Sequence, residues 1–260
     1  MSDDQIGPVP YDDRVSAPPP PARERRAGPA LVVVFLAGQL TMLVVSVLVL
    51  LSYGSGDPAL LEDGRLLALL VLPTSLGAVV AAVATGWLGG GPKAGRRWRE
   101  LAVRWNLRDI AIGLALGAGG LALTLPAAAA WTAWVGEDRA SSAVGDAFAG
   151  REMAPTAAVV AFLAVWLVAP AAEEVLFRGV LWRGLEHLGW NRWVVFVATS
   201  LVFSFAHLEL LRTPLLLVLS IPIGLARLLT GNLLASVVAH QVNNFLPALA
   251  LLLATTGNLP

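Results

Sequence analysis

The chain has 260 residues, of which 57% are hydrophobic and only 14% charged. A soluble domain is about 45–50% apolar and about 25% charged, so the excess apolar surface has to face lipid. The 18 basic and 18 acidic residues cancel, which excludes a general polyanion-binding surface such as one for nucleic acid. The lack of cysteine excludes a disulfide framework, a thiol nucleophile and a Cys-based zinc site.

Residues 1–29 are polar and Pro-rich, with Pro18 to Pro21 in a row and Arg23, Arg25 and Arg26 just ahead of the apolar part. They lack the apolar content to repay ordering, so this segment is expected to be a disordered tail rather than a signal peptide. From residue 30, apolar runs alternate with short polar breaks. A helix needs about 20 residues to cross a ~30 Å hydrocarbon core. Spans are expected near 30–53, 65–90, 109–135, 155–187, 191–208, 213–230 and 232–256, giving an all-α bundle of about seven helices over 30–256. A β-barrel would need shorter strands alternating apolar with polar residues, which are absent. The fourth segment is too long for one straight span and carries Pro170, so a kink is expected there. The Gly-rich stretch 113–120 is read as close helix packing.

Basic residues set the orientation. Fourteen of the 18 fall in the tail, in the 91–108 break or near the turns around Gly189 and Gly231. The other side holds Arg65, Arg139, Arg151 and Arg212, outnumbered by acids. The N-terminus is therefore expected in the cytoplasm. The 91–108 segment interleaves Trp98 and Trp105 with cations and reads as a positive-inside loop with interfacial tryptophans, in contact with membrane lipid.

An ionisable group inside a span costs about 2.5–3.5 kcal/mol on insertion scales, so it needs a reason. The first three spans hold essentially none. The last hundred residues hold Glu173 and Glu174 in APAAEEVLFRGVLW, His207 in FSFAHLE, and His240, Asn243 and Asn244 in AHQVNNF. Residues four apart share a helix face, which pairs Glu174 with Arg178, Phe203 with His207 and His240 with Asn244. Arg178 then neutralises Glu174 more easily than Glu173, leaving one carboxylate for chemistry. Asn243, three from His240, competes with Asn244; the four-residue spacing favours Asn244. In a hairpin turning at Gly189, Glu173 and His207 both lie roughly 24–27 Å from the turn, hence at one height. Glu209, beside Arg212 at a span end, is read as interfacial. A carboxylate in apolar surroundings can serve as general base for water, and histidines with an amide can hold that water, bind a metal or stabilise an oxyanion. Hydrolysis of an acyl bond fits this set. There is no serine nucleophile elbow, no HExxH and no phosphate loop.

The three tetrads, Glu173-Glu174-Val-Leu-Phe-Arg178, Phe203-Ser-Phe-Ala-His207 and His240-Gln-Val-Asn-Asn244, resemble the EExxxR, FxxxH and HxxxN/D signature of the CPBP (Abi) family. That family comprises the CAAX-prenyl-protease and bacteriocin-processing intramembrane endopeptidases. The resemblance covers roughly 155–250. It implies a glutamate-dependent intramembrane endopeptidase, commonly labelled a metalloprotease, acting on a peptide or membrane-protein substrate. It further implies that Glu173 activates water, that His207, His240 and Asn244 hold the water or stabilise the tetrahedral intermediate, and that Arg178 and Glu174 support the site. Glu173, His207 and His240 are the metal candidates; a divalent metal such as zinc and a metal-free mechanism both stay open, as do substrate and oligomeric state. A bacterial cell membrane is the expected location. The alternatives are a non-catalytic membrane partner or immunity protein on the same fold, and an ion-coupled carrier. A carrier would want inverted repeats and paired broken helices, whereas the sequence has one clear break, at Pro170.

Overall fold

The computed structural model describes residues 27–52, 62–88 and 99–258; the expected tail and most of the basic 91–98 stretch lie outside them. The described residues are helical throughout. In chain order they form α1 (Ala27–Leu51), α2 (Asp63–Leu88), α3 (Leu107–Val135), two short helices α4 (Glu137–Ala140) and α5 (Ala143–Phe148), α6 (Pro155–His187), α7 (Arg192–Ala206), α8 (Thr213–Thr230) and α9 (Leu233–Thr255). Each of the seven expected segments is a helix, with ends shifted by at most a few residues. Six of these helices are long and apolar enough to cross a membrane; α7 is the exception. The outward faces carry leucine, valine and tryptophan, as with Leu36, Leu40, Leu43 and Leu51 on α1, all more than half exposed. Apolar surface on this scale is unsuited to water, and the chain is an integral membrane protein.

With 15 residues, α7 is about 22 Å long and stops short of the hydrocarbon thickness. It ends at its C-cap, His207, and the turn 207–212 that follows has half-buried His207, Glu209 and Arg212 on one side and Leu208 and Leu210, 81% and 75% exposed, on the other.

The fourth segment is one continuous run of helix, and two π-helical stretches, Ala164–Val168 and Val175–Leu181, flank Pro170. Wider turns relieve the clash between a proline ring and the preceding turn, and π-turns recur at functional sites. Proline supplies no N–H, and the carbonyls of this turn find partners on α9 instead. Asn244 donates Nδ2–H to the Val165 oxygen at 3.2 Å, and Gln241 donates to the Leu167 oxygen at 3.4 Å.

Small residues let the spans touch backbone to backbone. In α3 the stripe Gly113, Gly117 and Gly120 lies against α9 and α8, as the packing reading expects; a Cβ on Gly113 would sit 2.4 Å from the Ala235 carbonyl oxygen. Gly113→Ala is therefore expected to push α3 off α9 and lower the melting temperature in detergent, with a cost of about 1–3 kcal/mol. Gly119→Ala is the control: nothing lies within 4 Å of its Cβ position. Equal melting of the two variants would contradict the packing account.

The turn between α8 and α9 is clipped by the described end of the basic segment. Asn232 caps α9 by accepting from Leu234 N–H, while its Nδ2–H groups donate to Asp109 at 3.0 Å and to the Arg104 carbonyl at 2.7 Å. Trp105, beside this clip, is 82% exposed, as an interfacial tryptophan should be. Arg178 and Arg227 are exceptions to the charge count. They are 0% and 2% exposed inside the bundle, so the orientation argument rests on the other twelve cations.

Candidate active site

Three helices deliver the six residues singled out in the sequence. Glu173, Glu174 and Arg178 come from α6, His207 from the end of α7, and His240 and Asn244 from α9. Glu173, His207, His240 and Asn244 line one cavity of about 400 Å³, together with Asn243. The cavity runs from Glu173 and His240, near the middles of their helices, to Ser142, Val144 and Gly145 in the 136–154 segment.

Glu174 is the buried structural centre. Its Oε1 accepts from Arg178 Nη1 at 2.9 Å and from His240 Nδ1 at 2.9 Å, and both Glu174 and Arg178 are fully buried. Arg178 finds no acceptor for Nε or Nη2 among the described residues. Part of that deficit is met by Phe203, whose ring centroid lies 4.6 Å from the guanidinium carbon. The same ring meets Phe177, His207 and His240 edge-on at 5.2, 4.7 and 5.8 Å. The phenylalanine of FxxxH is thus a hub that spaces both histidines and covers the cation.

The hydrogen bonds fix both imidazoles. The Nδ1–H of His240 donates to the Glu174 carboxylate, and the Nδ1–H of His207 donates to the Phe203 carbonyl at 2.8 Å. In each ring Nε2 is left for the cavity. Glu173 is 19% exposed, and its Oε2 lies 3.8 Å from His240 Nε2. That is long for a direct hydrogen bond, but a water oxygen about 2.8 Å from each atom would touch both. Asn243 spends its amide at both ends, accepting from Thr124 and donating to the Leu219 carbonyl. Asn244 donates only to Val165, so its carboxamide oxygen has no partner among the described residues.

Among the described residues no three His, Cys, Asp or Glu side chains converge as a metal-ligand set. Glu173, His207 and His240 face one space without closing on a point, and no step below is routed through a metal.

Two features escaped the sequence reading. Arg227, counted there as a loop cation, reaches across from α8 and donates Nε–H to the Arg178 carbonyl oxygen at 3.0 Å, with its guanidinium 5.5 Å over Trp182. A lone arginine in an apolar helical run was the available signal. Glu209 and Arg212, set aside in that reading as a pair at a span end, form a 2.7 Å ion pair that borders the cavity.

The chain matches no curated protein and no solved structure. Residues 155–246 match the family model described as type II CAAX prenyl endopeptidase, Rce1-like, and this stretch, which holds every residue of the cluster, is a domain of that family.

Proposed function

We propose that the protein is an intramembrane endopeptidase in which Glu173 is the general base. The family of the domain implies a protease of the intramembrane CAAX type acting on protein or peptide. The observation that carries the finer reading is the pairing of two adjacent glutamates with different neighbours. Glu174 is consumed by Arg178 and His240, whereas Glu173 faces the cavity with one imidazole nitrogen at 3.8 Å.

The mechanism follows from that asymmetry. A water held between Glu173 Oε2 and His240 Nε2 gives its proton to Glu173 as its oxygen bonds to the scissile carbonyl carbon. The carbonyl π pair moves onto oxygen, and His207, on the same cavity wall, stabilises the oxyanion. The pair returns, the C–N bond breaks, and the proton carried by Glu173 passes to the leaving nitrogen. Arg178 and Glu174 act at one remove, by holding the His240 ring. Asn244 keeps the α6 turn that carries Glu173 against α9. The test is comparative membrane proteomics of cells with the wild type against Glu173→Ala. New termini confined to wild-type cells are expected; identical termini in both would sink the proposal.

The orientation is part of the same reading: N-terminus in the cytoplasm, in a bacterial cell membrane. A reporter fused at residue 20 or 95 is expected to signal cytoplasm, and one at residue 145 the exterior. An exterior signal at residue 95 would overturn the charge argument. The result also reports which compartment the cavity reaches, since Ser142, Val144 and Gly145 form part of its wall.

A further inference from the structure

The cavity contains one cation that the mechanism does not use. Arg212 closes the 207–212 turn, and its side chain is only 17% exposed. Nη1 is taken by Glu209 Oε2 at 2.7 Å, while Glu209 Oε1 accepts the Ala143 N–H at 2.8 Å. Nε is buried, and neither Nε nor Nη2 has an acceptor among the described residues. These two nitrogens form the edge of a guanidinium that grips a carboxylate with two parallel hydrogen bonds. A residue needed only to hold Glu209 has no use for that edge, and leaving its N–H buried without a partner is unfavourable.

The local backbone is built to turn this pair inward. Leu208, between His207 and Glu209, holds φ at +58° and is 81% exposed. That left-handed conformation is strained for a leucine. It sends Leu208 outward while His207, Glu209 and Arg212 all line the cavity. Around Arg212 the wall is otherwise made largely of leucines such as Leu125, Leu215 and Leu219, where a charge-assisted bond is stronger than in water.

We propose that Arg212 is a specificity-determining residue whose Nε–Nη2 edge binds a carboxylate of the substrate. The proposal rests on the peptide-hydrolase reading above for the kind of ligand. The carboxylate could be the C-terminus of a peptide or an acidic side chain, and the experiment separates the two.

The probe is a fluorescein-labelled farnesyl-cysteine tetrapeptide in three forms: free acid, C-terminal amide, and amide with an aspartate next to the C-terminus. Binding to the purified full chain is read by fluorescence polarisation. The wild type is expected to bind the free acid roughly 10- to 100-fold tighter than the plain amide. Arg212→Gln should bind both alike, and Arg212→Lys should keep part of the preference. Glu209→Gln, which removes the competing carboxylate, should tighten binding of the acid, an effect that a merely structural pair would not produce. If the aspartyl amide binds like the acid, the subsite reads an acidic side chain as well; if it binds like the plain amide, it reads the C-terminus. Equal binding of all three forms by the wild type overturns the role of Arg212 alone. Binding of none by a folded protein overturns both this role and the peptide-hydrolase reading. Should Arg212→Gln fail to fold, the wild-type preference with Arg212→Lys and Glu209→Gln decides the matter.

Discussion

Glu173→Gln is expected to abolish cleavage while leaving the protein folded. The amide keeps the volume of the carboxylate and its ability to accept a hydrogen bond, but it cannot take a proton from water. A positioned general base contributes typically about 10²–10⁴-fold, so turnover per folded molecule should fall by that factor or below detection. Glu174 is poorly placed to take over, because its Oε1 is held by Arg178 and His240 in a fully buried position. Stability should change little, since Glu173 makes no hydrogen bond among the described residues and lines open space. The readout is turnover alongside detergent melting. Wild-type turnover in Glu173→Gln, with a well-folded Glu174→Gln dead, would mean the two glutamates are assigned the wrong way round.

Glu174→Gln is expected to fail in another way, by losing the fold. It strands Arg178, which is 0% exposed and already lacks acceptors for Nε and Nη2, and it removes the anion that anchors His240. Breaking a buried pair by deleting one partner costs about 3–5 kcal/mol, chiefly because the remaining charge has nowhere to go. Low yield and a lower melting temperature should be its main symptoms. The double variant Glu174→Gln with Arg178→Met removes the stranded charge as well and should recover much of that loss without recovering activity. A double variant as unstable as the single one would show that the cost is not electrostatic.

The bundle was legible because a long apolar helix in lipid has few alternatives: once the runs are marked, the helices follow. The meeting of Glu173 with His240 and of Glu174 with Arg178 was legible for a similar reason, since ionisable side chains in spans must find one another. What sequence did not reveal was how the backbone deviates. Pro170 marks a break in the sequence, and only the structure shows the two π-helical stretches that flank it, with Asn244 and Gln241 serving the carbonyls of that turn. Nor does hydropathy reveal that the cavity extends to the turn after α7, where Glu209 and Arg212 form part of its wall. The role of Arg227 was missed because position along the chain does not tell a solvated cation at a helix end from one turned inward onto a carbonyl.

The account's central claim is that this chain itself hydrolyses peptide bonds, with water activated by Glu173. The most direct measurement adds purified wild-type protein, or Glu173→Gln of equal melting temperature, to membranes from cells lacking the gene. Newly formed peptide termini are then read by mass spectrometry. The account predicts discrete new termini with the wild type and none above background with Glu173→Gln. Termini that form equally with both proteins, or with neither, would contradict it.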